Sequence, residues 1–132
     1  MSDEVSPYLS KGYAPVRQER DVAALGIEGA FPPALAGTFY RIGPNPQFEP
    51  RQPYNPLMGD GMVHAFRIGG GRVSYRNRWV RTRRWRHDNA AGRALFGTSG
   101  DPTDCDPSVL GAPTDGVANT NLAWHAGKLL AL

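Results

Sequence analysis

Apolar and polar positions alternate along parts of this 132-residue chain and lose all pattern in others. Residues 1–20 show no apolar periodicity, and residues 1–26 are expected as an extended or disordered lead-in to a folded part at 27–132. Pro32-Pro33 forbids a continuous helix through the next segment, and Ala34 to Gly37 has room for one helical turn at most. Gly37 to Ile42 then reads as a strand, with Phe39 and Arg41 on one face and Tyr40 and Ile42 on the other. The stretch "GPNPQFEPRQPYNP" holds five prolines in fourteen residues and predicts an ordered loop rather than regular structure.

Met62 to Ile68 predicts a strand, Gly69-Gly70-Gly71 a turn, and Arg72 to Arg81 a second strand. Glycine adopts the positive φ that such turns need without strain, so the three pieces read as a β-hairpin. On the second strand Val73, Tyr75, Asn77 and Trp79 share one face, and Ser74, Arg76, Arg78 and Val80 share the other. Gly92 to Pro113 is rich in glycine, proline and aspartate and reads as a long loop. Val117 to Trp124 and Lys128 to Leu132 predict a second hairpin turning at "HAGK". The final "KLLAL" breaks off inside an apolar strand pattern, so the chain is expected to be a fragment of something longer.

Composition sharpens this picture. Gly 16 and Pro 12 favour short elements joined by turns, while 40% hydrophobic residues allow a folded core. One cysteine, Cys105, excludes an internal disulfide; with acids on either side it reads as an ordinary free thiol in a polar loop. No apolar leader follows the acidic start and no apolar run approaches a membrane span, so a cytoplasmic protein is expected.

Charge raises a separate question. Seven of the fifteen Lys/Arg lie between Arg72 and Arg86, leaving eight against twelve Asp/Glu elsewhere. Arginines interleaved with Tyr75, Trp79 and Trp85 could bind a nucleic acid. No recognised nucleic-acid motif accompanies the strip, and "GGGRVS" lacks the Lys-Ser/Thr of a phosphate-binding loop. A nucleic-acid partner is therefore not expected. Asp60, between Gly59 and Gly61, reads as a turn residue capping nearby N–H groups. His64, His87 and His125 form no local metal-ligand pair.

Four stretches, "GTFYRIGPNPQFEP", "GDGMVHAFRIGGGRVSYRNRWVRT", "DPSVLG" and "GVANTNLAWHAGKLLAL", resemble the N-terminal portion of the carotenoid cleavage oxygenases, in the family's order. The resemblance runs from about Ile27 to Leu132. It implies an all-β fold, the first two to three blades of a seven-bladed β-propeller whose ring is not closed by residues 27–132. Such an open ring exposes unpaired edges, and the chain alone is expected to be poorly soluble or partly folded. Arg76, Arg78 or Arg81 would then lie between blades and pair with carboxylates from segments outside this chain.

The resemblance also implies a non-haem Fe(II) dioxygenase. The parent would cut a conjugated double bond of a carotenoid or apocarotenoid into carbonyl products, taking a hydrophobic polyene and dioxygen. Peripheral contact with a membrane for substrate uptake is compatible with it. The family's iron sits on four histidines that begin downstream of the "NTN…HAGK" strand, so no metal ligand and no catalytic residue is carried onto this sequence, and the fragment alone is expected to be inactive. His64 and His125 are expected as hydrogen-bonded core or inter-blade residues, and His87 as exposed. Phe39, Tyr40, Phe48, Trp79 and Trp124 are the candidates for an aromatic substrate wall. In stilbene-cleaving members a tyrosine and a lysine bind the phenol. Their places here fall at Trp79 and near Ala112 or Pro113, where neither residue type stands, which favours a carotenoid over a phenolic stilbene. A non-catalytic propeller binding module remains an alternative from another class.

Overall fold

A computed structural model describes residues 6–132. Its centre is a four-stranded antiparallel sheet in the order β1-β4-β3-β2, built from β1 (Asp21–Val22), β2 (Gly37–Pro44), β3 (Gly61–Gly69) and β4 (Arg72–Trp79). A separate hairpin joins β5 (Leu122–His125) to β6 (Lys128–Ala131). Both predicted hairpins form. Gly70 and Gly71 carry φ of 57° and 70°, and Ala126 and Gly127 carry 47° and 75°, so each connection is a two-residue turn of the kind that matches strand twist.

Register sets the two faces as alternation predicts. Phe39, Phe66 and Tyr75 stand in one cross-strand row, and Arg41, His64 and Asn77 in the next. Met62 and Trp79 follow on the same face. Tyr40, Ala65, Arg76 and Asp21 form a row on the opposite face. The core is small: Met62, Trp79 and Trp85 pack with Val16, and Leu95, Phe96 and Val109 form a second cluster.

The amino-terminal segment is tied down far more than a lead-in suggests. Two buried asparagines hold it by reciprocal bonds that satisfy backbone groups side chain by side chain. Asn45 accepts from the Val16 N–H at 2.7 Å and donates to its carbonyl at 2.8 Å. Asn77, fully buried, accepts from the Arg20 N–H at 2.6 Å and donates to the Gln18 carbonyl at 3.0 Å. Truncation of Asn77 strands two backbone groups at once, the Arg20 N–H and the Gln18 carbonyl. Asn77→Ala is expected to destabilise the protein by about 2–3 kcal/mol, and hydrogen exchange at Arg20 should accelerate in the same variant.

Three sequence expectations need correction. The second strand stops at Trp79: the Val80 N–H still donates in register to the Gly61 carbonyl (2.8 Å), but the Gly61 N–H donates to the Val117 carbonyl (2.9 Å) and not back to Val80, so the ladder ends there. An α-helix, α1 (Arg83–Ala91), follows where none was predicted, so the fold is mostly β with one helix. Thr82 caps it by accepting from the Trp85 N–H at 3.1 Å, and Gly92 ends it at φ 68°. Finally, residues 117–121 are not strand. The Val117 carbonyl accepts from the Gly61 N–H (2.9 Å) and Ala118 adopts φ 48°, which turns the chain across the start of β3.

The surface is large for the mass. A compact monomer of 14.4 kDa exposes roughly 6,800 Å², whereas this chain exposes 8950 Å². Phe39, Tyr40, Trp124, Leu130 and Leu132 are among the large apolar side chains left open.

Candidate functional site

The five aromatic candidates do not meet. Phe39 is 59% exposed on β2 and borders Phe66 at 6.2 Å between ring centroids. Tyr40 points to the opposite face, where it rims a broad open groove of about 980 Å³ with Thr38, Ala65, Ser74 and Arg76. Phe48 is half-buried in the proline-rich loop. Trp124 is 67% exposed on β5, opposite Leu129. Trp79 is buried in the core, and its Nε1 donates to the Asn45 carbonyl at 2.8 Å. Strand alternation separates Phe39 from Tyr40, and core packing claims Trp79.

Beside Phe39 stands Phe66, which no sequence motif marks as a site residue, together with Tyr75 and the hydrogen-bonded His64. Phe66 and Tyr75 lie 4.9 Å apart, and the Tyr75 hydroxyl and His64 Nδ1 share a 2.7 Å hydrogen bond. Burial, and secondarily the Arg41 charge, push the His64 pKa below its ordinary value, so the ring is neutral at pH 7. Period-two spacing of His64 and Phe66 was the available signal.

Three arginines of the strip, Arg76, Arg78 and Arg81, are ion-paired, but with carboxylates of this chain's own amino-terminal segment and not with segments outside it. Arg76 and Arg78 both contact Asp21. Arg81 contacts Glu19 at 2.8 Å, and Arg78 lies 4.0 Å from the same carboxylate. Hydrogen bonds from Arg78, then Arg76, hold the Asp21 carboxyl below the usual range. Arg81 also lies 3.9 Å over the Trp85 ring.

Arg84 goes the other way, into the interior, where Asp60 and Asp88 stand near it. Asp60 caps as predicted: its Oδ2 accepts from the Gln47 N–H at 3.1 Å. Burial nevertheless pushes its pKa up. Asp88 accepts from the Leu95 N–H at 2.8 Å, yet burial and then the Asp60 charge push it up to about 6, against the favourable Arg84 charge. The sequence signal for this cluster was the four-residue spacing of Arg84 and Asp88, which shares one helix face.

A pH dependence follows from Asp88. Its folded-state pKa is raised, so the protonated form favours folding. That stability is fully present below about pH 4 and is lost as pH rises through about 6. The difference amounts to at most about 3 kcal/mol. Asp88→Asn should flatten this part of the melting-temperature profile between pH 4 and pH 6, measured as variant minus wild type.

His87 is exposed on α1 with its ring edge toward Phe96. His125 is exposed as well, not core, because it ends β5 next to the tight turn. Cys105 is half-buried instead of loose in a polar loop; it packs on the Leu95, Phe96 and Val109 cluster and accepts from the Gly97 N–H at 3.3 Å. Among the described residues no group of three or more His, Cys, Asp or Glu could hold a metal ion. His64 is committed to Tyr75, and His87 and His125 lie on separate elements. The donors present therefore do not fit the four-histidine iron that the family resemblance implies.

Comparison with known proteins gives the frame for these fragments of a site. Residues 13–132 match the family model described as RPE65, retinal pigment epithelial membrane protein. The chain is 43% identical to lignostilbene-alpha,beta-dioxygenase isozyme III of Sphingomonas paucimobilis over 89% of its own length and 24% of that protein. It is 36% identical to carotenoid 9,10(9',10')-cleavage dioxygenase 1 of Arabidopsis thaliana, over 95% of the chain and 26% of that protein. The crystal structure of Pseudomonas brassicacearum lignostilbene dioxygenase superposes with a TM-score of 0.86 at 39% identity, covering 96% of this chain and 26% of that one. The chain thus spans about a quarter of the length of these relatives. With nearly all of its residues matched in sequence and in fold, the chain belongs to the RPE65 family of carotenoid cleavage oxygenases.

Proposed function

We propose that the chain is part of an oxygenase that cleaves a conjugated carbon–carbon double bond with dioxygen. One alkene and one O₂ give two carbonyl products, each carrying one of the two oxygen atoms, so atoms and electrons balance without a further reductant. The preferred substrate in this reading is an aryl-alkene of the stilbene class. The observation that carries it is 43% identity to a lignostilbene dioxygenase, against 36% to a carotenoid-cleaving enzyme.

The family's Fe(II) would be held by histidines in polypeptide outside these 132 residues, since the described residues do not fit it. This chain's own contribution is scaffold: a sheet with two opposed faces, and an amino-terminal segment clamped across it by Asn45 and Asn77. The propeller of the family is the architecture such an open antiparallel sheet would enter.

A specific observation favours a carotenoid or apocarotenoid instead. No lysine occurs between Lys11 and Lys128, so the phenol-binding lysine expected near Ala112 is missing. The tyrosine argument carries less weight, because Trp79 is buried and its identity answers to packing. The test is product analysis of the full gene product supplied with iron and ¹⁸O₂, offered a hydroxylated stilbene or an apocarotenal. Two labelled aryl aldehydes from the stilbene support the proposal. Cleavage of the apocarotenal alone supports the second reading, and no carbonyl product from either overturns both.

A further inference from the structure

One cavity is too small for any organic substrate and too polar to be a packing fault. It offers about 10 Å³, close to what the centre of a single water molecule needs. Tyr54, Asp60, Arg84, Asp88 and Thr98 line it together with Phe48. Three of these carry charge and are almost fully enclosed, with exposures of 5% for Asp60, 8% for Arg84 and 3% for Asp88.

The hydrogen bonds leave a specific remainder. Asp60 Oδ2 is engaged by the Gln47 N–H, Asp88 Oδ1 by the Leu95 N–H, and an Arg84 terminal nitrogen by the Gly97 carbonyl at 3.3 Å. Asp60 Oδ1 and Arg84 Nε are both buried without a protein partner. One is an acceptor and the other a donor. Neither buried carboxylate forms a direct ion pair with Arg84 among the described residues. Buried charge in this state is costly unless something bridges it.

We infer that this cavity is a binding site for one internal water molecule, which donates to Asp60 Oδ1 and accepts from Arg84 Nε. The water supplies the missing half of each interaction and lets a single guanidinium balance two carboxylates across the cavity. It also links α1, which carries Arg84 and Asp88, to the loop that ends at Asp60. The Tyr54 hydroxyl also lines the cavity and is available to the water's second hydrogen, whereas the Thr98 hydroxyl already donates to the Pro53 carbonyl at 2.9 Å and accepts from the Asn55 N–H at 2.8 Å.

The deciding experiment is a high-resolution crystal structure of the full gene product, paired with water-¹⁷O relaxation dispersion, which counts long-lived internal waters. The expected result is one ordered water within hydrogen-bond distance, ~2.7–3.2 Å, of both Asp60 Oδ1 and Arg84 Nε. A dry cavity, or an Arg84 that has moved into direct contact with Asp60, overturns the inference. So does a water that touches only one of the two atoms. The double variant Asp60→Leu/Arg84→Met removes both orphaned groups and should show one long-lived water fewer; an unchanged count would mean that other atoms hold it. Should the double variant fail to fold, the wild-type density alone decides.

Discussion

Gly61→Ala is expected to destabilise the protein by roughly 3 kcal/mol, more than a surface glycine substitution would. The reason is backbone crowding, not backbone freedom. A Cβ on Gly61 would stand 2.7 Å from the Ala118 carbonyl carbon and 2.9 Å from the Val117 oxygen. Neither is the end of a flexible side chain that could swing aside. The Gly61 N–H also donates to Val117, and its carbonyl accepts from Val80 (2.8 Å), so one residue ties β3 to both the end of β4 and the segment leading to the second hairpin. Chemical denaturation of the variant measures the loss. A change within about 0.5 kcal/mol, the range of ordinary surface substitutions, would show that residues 117–118 do not cross β3 as described.

Trp79→Ala is expected to cost about 3–5 kcal/mol. It empties the centre of the Met62, Trp79, Trp85 cluster and strands the Asn45 carbonyl that Trp79 Nε1 now satisfies. Since Asn45 also clamps Val16, the amino-terminal segment should loosen in the same variant, read as faster amide exchange at Val16. Trp79→Phe separates the two contributions: it keeps most of the packing and loses only the hydrogen bond, so it should fall between wild type and alanine. A substrate-wall role alone would predict altered substrate affinity with stability nearly unchanged.

These two residues illustrate what could be read in advance. Strand alternation through "MVHAFRI" and "RVSYRNRW" placed both faces of the central hairpin correctly, because each strand has one face committed to packing. The proline-rich loop was also legible, since its five prolines leave no other choice. Helix α1 was not. Its sequence, "RRWRHDNAA", is nearly all polar and has arginines where the helix dipole disfavours them, so apolar periodicity gave no signal. Only its ends announced it: Thr82 three residues before Trp85, and Gly92 beyond the last turn.

The aromatic candidates failed to converge for a related reason. Residue type says that a ring can pack against a polyene, but register and burial decide which way it faces. Phe39 and Tyr40 are neighbours in sequence and lie on opposite faces of one sheet. Long-range pairing was equally hidden. Glu19 and Asp21 reach Arg76, Arg78 and Arg81 across more than fifty residues, and no local pattern in a lead-in without periodicity points to them. The buried Asp60, Arg84 and Asp88 cluster combines both difficulties, since one member comes from a loop and two from a helix that the sequence concealed.

Under the proposed function this chain builds scaffold for an iron oxygenase and contributes none of the iron's ligands. The most direct test is the iron-to-protein ratio of the full gene product beside its His64→Gln/His87→Gln/His125→Gln variant, both measured on folded, purified protein. About one iron per polypeptide is expected in each. A variant that has lost its iron, or a wild type that binds none, would contradict that role.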